Sequence, residues 1–457
     1  MYLKHSLSSQ GRPPGHLGYA PSAAERGRYL FRLVVFVALL LGGCRPAVEL
    51  EPGTPTGLAQ AAPTQVTATL TAIPVEAQPT PVTPALLRLW VPPEFSPASG
   101  TPAGNLLQAR LNEYIKNRPS VGRIEVRVKA LHGPGGLLDA LSTAGAAAPA
   151  ALPDVVALPR DLLEQAALKG LLQPSPVLAQ RIHDGDWYPY AIDLARLQGT
   201  VYGLPFAGDA LALAYRTQEY PQPPVTWQDV QAVRNPLAFA AADPLALFTL
   251  ATYQAAGGQI TTEPGKPALD TVVLTEVLTY YAVSEQAGVM PSWLTQIQAD
   301  EQAWDALNEG RTDLAVTWAS RYLAQGADEL ALAPLPTPDG RPFTLATGWV
   351  WALAARDGER QAQAAELASF LAEPAFLESW WQAAGLLPVQ SSGLSRQDDP
   401  SELQQVLHQI ASSARLLPPA EAQPSLGGLL EAAVVQVLKR QATPLDAAQA
   451  ATQLTGP

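Results

Sequence analysis

Leu152-Pro153-Asp154-Val155-Val156-Ala157-Leu158 is an apolar run of strand length, followed by a helical pattern from Asp161 to Lys169 that Gly170 stops. Two similar units precede it. Leu87-Arg88-Leu89-Trp90-Val91 alternates and ends at a proline pair, and Asn105 to Asn117 places Leu107, Leu111, Tyr114 and Ile115 at helical spacing before Pro119. Ile124-Glu125-Val126-Arg127-Val128 alternates again, and Gly136 to Thr143 carries Leu137, Leu138 and Leu141 on one helical face. Strand, helix, strand, helix, strand, helix in this order implies parallel crossovers, and therefore an α/β fold.

The mixture continues downstream with more helix. Val201 to Tyr215 reads as strand pieces split by Gly203 and Pro205, with Gly199 and Gly203 bracketing a hairpin around Tyr202. Helical patterns cover Val225–Ala232, Leu245–Ala256, Val272–Glu285, Glu301–Asn308, Arg360–Leu371 and Pro374–Ala384, and two more are expected after Leu403 and Leu426. Thr226 is placed to cap the first of these, with Asp229 near the positive end of its dipole. Asp313–Trp318 and Thr347–Leu353 read as strands, and Gly310 suits a left-handed stop between helix and strand.

Ahead of the first strand lie two segments of different character. Arg26, Arg28 and Arg32 precede the apolar run Leu33–Leu41, which ends Gly42-Gly43-Cys44. A positive flank, a short apolar core and small residues before the cut make residues 1–43 a signal peptide, too short in its apolar part to span a bilayer. Leu41-Gly42-Gly43-Cys44 resembles a bacterial lipobox, which implies lipidation of Cys44, the single cysteine of 457 residues. Residues 44–85 are rich in Pro, Thr and Ala without apolar periodicity, so they read as a disordered tether. Cleavage after Gly43 leaves 24 basic and 40 acidic residues, a net charge of −16. That balance argues against nucleic acid as a partner, since phosphate binding needs clustered Lys and Arg.

With these segments in place, the order of landmarks resembles the extracellular solute-binding proteins of ABC importers, the sugar-binding group in particular. The resemblance runs from about Leu86 to Val389. It rests on Leu152–Val156, Leu168–Pro174, Gly199–Phe206, Leu213–Tyr215, Val225–Val230, Gln254–Ile260, Ala303–Gly310, Leu314–Trp318 and Gly385–Val389, in the family's order. It implies a two-lobe periplasmic-binding-protein-like fold with three interlobe crossings, near Asp209–Leu213, Thr312–Thr317 and Thr347–Ala352. One lobe is then expected to hold 86–209 and 317–346, and the other 210–316 and 347–457. A solute held in the interlobe cleft, a permease as protein partner, a lipid-anchored monomer on the extracytoplasmic face of the membrane and no cofactor complete the expectation.

A carbohydrate presents apolar C–H faces and a hydroxyl rim, so its site needs flat aromatic platforms with a few polar groups. By position within the matched segments, Trp90, Phe206, Asp209, Trp318 and Trp349 are the ligand-binding candidates, with Thr317, Ser320 and Thr347 beside them. Trp351 and the helical Trp227, Trp304, Trp380 and Trp381 read as packing, and Asp209 could equally cap a helix or pair in a salt bridge at the hinge. Enzyme signatures are missing. His408-Gln409-Ile410 lacks the second histidine and glutamate of a zinc helix, and no Gly-x-Ser-x-Gly elbow occurs. Gly258 to Lys266 ends in proline where a phosphate loop needs a hydroxyl, and His132–Gly136 could present amides to an anion but reads as a simple turn. No catalytic or metal-binding residues are therefore assigned. A surface glycan hydrolase built on two acids, and a sensor or scaffold lipoprotein with a degenerate cleft, remain the alternatives.

Overall fold

A computed structural model describes residues 84–263, 266–392 and 401–453. The expected signal peptide, Cys44 and all but the last two residues of the expected tether lie outside the described residues.

The strands are β1 (Ala85–Val91), β2 (Val121–Val128), β3 (Val155–Pro159), β4 (Arg196–Leu197), β5 (Thr200–Val201), β6 (Gly203–Arg216), β7 (Leu237–Ala238), β8 (Thr261–Glu263), β9 (Lys266–Ala268), β10 (Leu314–Trp318), β11 (Leu330–Ala333), β12 (Thr344–Leu353) and β13 (Ala414–Leu416). The first helices are α1 (Pro102–Asn117), α2 (Leu137–Ala147), α3 (Arg160–Leu168), α4 (Pro176–Asp184) and α5 (Pro189–Ala195). Then follow α6 (Trp227–Gln231), α7 (Leu247–Ala255), α8 (Thr271–Gln286), α9 (Asp300–Asn308) and α10 (Ala319–Gln325). The chain closes with α11 (Gly358–Leu371), α12 (Pro374–Ala384), α13 (Glu402–Ser413), α14 (Gln423–Leu438) and α15 (Pro444–Gln453).

β1 pairs in parallel with both β2 and β3, as the crossover order requires. Leu87, Leu89 and Val91 enter one core and Trp90 the other, so this sheet is covered on both faces, which is why its strands are so apolar. The full sheet runs β2-β1-β3-β12-β6-β10-β7, with β11 on β6 and β13 on β12.

β6 organises the molecule. The sequence suggests pieces split by Gly203 and Pro205, yet Gly203–Arg216 is one strand of 14 residues. Proline lacks an N–H, and the ladder accommodates Pro205 through a bulge: Trp349 pairs with Ala207 and Val350 with Pro205, leaving Phe206 as the extra residue. The hairpin sits earlier than expected, at Gln198 and Gly199, both with positive φ, rather than around Tyr202. Up to Ala210, β6 pairs with β12; from Leu211 to Tyr215 it pairs with β10. Leu204, Phe206 and Ala207 belong to the first core and Leu213 and Ala214 to the second, so one strand serves both lobes.

The other crossings correct the expected borders. β10 stays in the second lobe, because it lies opposite Leu211–Tyr215 and beside β7; the chain does not change lobes at 312–317. It changes at Leu345 and Ala346, which belong to the second and first cores respectively. It changes again after Ala414, since Leu417 packs on the second core. The segment 347–389 was expected in the second lobe. Instead Trp351, Leu353, Leu367, Leu371, Trp380 and Leu387 pack in the first core, because β12 is antiparallel to the first-lobe strand β3. The segment 317–346, expected in the first lobe, divides between the cores: Ala319 and Leu332 pack in the first, whereas Leu330, Ala333 and Leu335 pack in the second, because β11 pairs with the far half of β6.

Local signals held where they were strong. Thr226 and Asp229 form a reciprocal capping box, and Gly310 has φ +70°. The Gly133–Gly136 turn is satisfied internally, since Gly135 N donates to Asp139 Oδ2 at 2.7 Å. A carboxylate buried in the first lobe is also paired. Asp154 receives Arg360 Nε at 2.9 Å and the Arg88 amide at 2.7 Å, which offsets its desolvation.

Candidate functional site

In an antiparallel ladder directly opposed side chains share a face, and that face recurs every second residue. Along β6, Ala207 faces Trp349, Asp209 faces Thr347, and Leu211 faces Trp318. Asp209, Thr347, Trp349 and Trp318 therefore project from one side of the strand at the first crossing. All four are half-exposed, although their neighbours Gly208, Ala210, Gly348, Val350 and Thr317 are buried. This row of partly exposed positions in an otherwise closed sheet is the candidate site.

Its location agrees with a general rule: in open α/β sheets, ligands lie beyond the carboxyl ends of the parallel strands. β3 ends at Pro159, which pairs with Trp349. The turn after β1 carries Phe95, whose ring meets that of Trp349 edge to face at 4.7 Å. Phe95 and Pro159 were missed in the sequence because neither belongs to an alternating pattern; only the proline pair after Val91 hinted at a turn there.

Asp209 has a structural task. Trp318 occupies the position before α10 and its side chain makes no cap. The Asp209 carboxylate supplies the cap from another strand, accepting Ser320 N at 3.0 Å and Ser320 Oγ at 2.5 Å, with Ala210 N at 2.9 Å. Its carboxyl is enclosed, and burial raises its pKa to about 6 against the opposing pull of the Ser320 and Ala210 hydrogen bonds, with Asp300 adding to the rise. Asp300 stands at the start of α9 and accepts Thr317 Oγ1 at 3.2 Å and Arg321 Nε at 3.0 Å. Two carboxylates thus flank the first turn of α10, one compensated by a guanidinium and one by neutral donors.

Trp90 and Phe206, candidates in the sequence, are core residues, 2% and 1% exposed. Trp90 points from β1 into the layer of Leu137, Leu141 and Leu162, and Lys129 Nζ lies 5.2 Å from its ring centroid. Phe206, displaced by the bulge, stacks on Trp351 at 4.0 Å and meets Trp380 at 5.5 Å. Trp351, Trp227, Trp304, Trp380 and Trp381 are buried. Of the five candidates, the structure brings Asp209, Trp318 and Trp349 to one face.

A second connection crosses the lobe border nearby. Glu164 on α3 pairs with Arg160 at 2.6 Å and accepts the amide of Ala420, just past the third crossing, at 2.9 Å. Arg160 is fixed in turn by the carbonyls of Asp193, Leu194 and Arg196 at the end of α5.

A family model described as bacterial extracellular solute-binding protein matches residues 113–401, and the chain belongs to that family. It is a family of binding proteins rather than enzymes. Among solved structures, the fold is similar to the maltodextrin-binding protein MalE1 from L. casei BL23 without ligand (TM-score 0.65, 18% identity, 82% of this chain and 98% of that one). It is also similar to a cyclo/maltodextrin-binding protein complexed with maltotetraose (0.63, 22%, 83% and 98%). The sugar-binding protein MalE from the phytopathogen Xanthomonas citri is comparable (0.63, 18%, 81% and 96%). No curated protein matches the sequence. These likenesses establish the two-lobe periplasmic-binding-protein-like fold. Among the described residues no helix is long and apolar enough to cross a membrane.

Proposed function

We propose that the chain captures a carbohydrate at the β6 crossing and delivers it to an ABC permease, acting without catalysis as a lipid-anchored monomer on the extracytoplasmic face. The observation that carries the carbohydrate assignment is the shared face of Trp318 and Trp349, two half-exposed indoles with Thr347, Ser320 and Asp209 between them. Flat apolar platforms set beside hydroxyl and carboxylate groups suit a sugar ring. The similar structures, whose names record maltodextrin binding and maltotetraose, support the same class. Ligand would favour the lobe arrangement in which both indoles reach it. Anchoring rests on the Cys44 motif and on the tether that follows.

Calorimetry with glucose, maltose, maltotetraose and trehalose, alongside a dipeptide and spermidine, tests the ligand class. Saturable binding of at least one sugar is expected; binding of the dipeptide or spermidine alone would remove the carbohydrate assignment. Palmitate labelling that disappears on Cys44→Ser tests the anchor. A second reading, a sensor with a cleft no longer used for transport, draws on the internal use of both Asp209 oxygens by Ser320 and Ala210. Absence of binding across the whole panel would favour it.

A further inference from the structure

β2 is the outermost strand at one end of the sheet, with β1, β3 and β12 between it and β6. Opposed residues of a strand pair share a face, and Leu86, Arg88 and Trp90 of β1 lie opposite Arg123, Glu125 and Arg127 of β2. Lys129 continues that face, its Nζ 5.2 Å from the Trp90 ring centroid. Successive same-face residues stand about 7 Å apart along a strand. One edge of the first lobe thus carries Arg88, Arg123, Arg127 and Lys129 around a single acid, Glu125. Arg127 pairs with Glu125 at 2.8 Å, and Arg88 approaches it at 3.7 Å. The Arg127 hydrogen bond holds the Glu125 carboxyl below its ordinary range, and the charges of Arg127, Arg88 and Arg123 add to the pull. Among the described residues neither Arg123 nor Lys129 forms an ion pair of its own. Charges on an edge strand discourage pairing with another sheet, but either sign serves that purpose. In a chain with 41 acidic and 29 basic residues, a row so dominated by cations points to an anionic partner.

We infer that the β2 edge is a docking face for anionic lipid headgroups, and that it holds the first lobe against the membrane surface. Binding to phosphate needs cations gathered in one place, and folding gathers them here although the chain as a whole is acidic. The path of the chain favours a bilayer over a soluble polyanion. Ala85 lies opposite Val121 and Leu86 opposite Arg123, so the domain begins beside the cationic row. In this respect the inference rests on the lipid-anchored reading. A coil as long as the expected tether spans roughly 35 Å, so a face beside its end stays near the anchoring bilayer. Each cation close to an anionic surface strengthens binding about fivefold. The acidic remainder of the chain is repelled by the same surface, which sets the orientation.

The test uses the form expected after export, residues 44–457, which contains every described residue. Cys44→Ser keeps any attached lipid from contributing. The probes are vesicles of equal parts phosphatidylglycerol and phosphatidylcholine, and vesicles of phosphatidylcholine alone. Cosedimentation is expected with the mixed vesicles at low salt, and its loss is expected at high salt and with phosphatidylcholine alone. Arg123→Gln and Lys129→Gln together should weaken it about thirtyfold. Arg341→Gln, which removes an exposed cation elsewhere, should leave it within about twofold. Thermal melts report whether Lys129→Gln disturbs the layer around Trp90; in that event Arg123→Gln alone, expected to cost about fivefold, carries the comparison. No binding to the mixed vesicles, equal binding to both kinds, an equal loss in Arg341→Gln, or binding of soluble polyphosphate without binding of vesicles would overturn the inference. Palmitate labelling of Cys44 is a separate measurement: its absence would remove the anchor, while vesicle binding lost with the cations would still establish the docking face.

Discussion

Asp209 and Ser320 are 111 residues apart in the chain, yet the Asp209 carboxylate accepts both the amide and the hydroxyl of Ser320. The bond joins the last first-lobe turn of β6 to the helix that follows β10. A residue beside the lobe border is thus tied to the helix that begins just after Trp318.

The carboxyl that makes this contact has a folded pKa of about 6, above the ordinary carboxylate value. The folded state therefore holds this proton more tightly than the unfolded chain does. Its ionisation costs stability progressively from about pH 4 to the folded pKa near 6, and the cost is constant above that. Relative to Asp209→Asn, the native chain is expected to gain melting temperature as pH falls from 7 to 4. Thermal melts of both proteins across that range check it; a difference that stays flat would contradict the shifted carboxyl.

Half-exposed and buried aromatic residues are expected to separate in their effects. Trp318→Ala and Trp349→Ala should weaken binding of the sugar that calorimetry identifies by about tenfold to a hundredfold, or roughly 1.4–2.8 kcal/mol, with little change in melting. Trp90→Ala and Phe206→Ala should instead cost about 3–5 kcal/mol of stability, since each opens a cavity in a packed layer. Calorimetry and urea melts on the four variants distinguish the outcomes.

Glu164→Ala leaves Arg160 without its carboxylate and the Ala420 amide without its acceptor. Breaking a buried pair from one side typically costs about 3–5 kcal/mol. The Arg160 bonds to the α5 carbonyls hold the low end of that range. Hydrogen exchange at Ala420 should accelerate, whereas a stability loss without faster exchange there would place the damage elsewhere.

Gly348→Ala is expected to destabilise the chain by about 1–3 kcal/mol. A Cβ at that position would stand 2.3 Å from the Ala207 carbonyl, which is backbone of the paired strand and cannot rotate away. Gly428→Ala, whose added methyl meets nothing within 4 Å, provides the comparison in the same melts.

The α/β class was legible because each early strand and helix carries its own period: Leu87, Leu89 and Val91 alternate, and Leu107, Leu111 and Tyr114 recur at helical spacing. Caps and stops such as Thr226 and Gly310 are local, and local chemistry is written in neighbouring residues. The site was legible only in part. Trp318 and Trp349 sit at strand positions that pattern reading could place, but whether an aromatic residue faces solvent depends on what packs against it. Trp90 alternates as well as any residue of β1 and still enters the core, because a helical layer covers that face of the sheet.

By itself the sequence determined most of the elements and their order, which depend on residues close together in the chain. Tertiary structure alone decided which half of β6 each later strand joins, and therefore the lobe borders at Leu345 and after Ala414. It also decided that Pro205 bends a continuous strand through a bulge, sending Phe206 inward, and that Asp209 caps a helix 111 residues away. The physical reason is that strand pairing and burial are set by partners brought together only on folding, and an apolar strand carries no mark saying which neighbour it will meet.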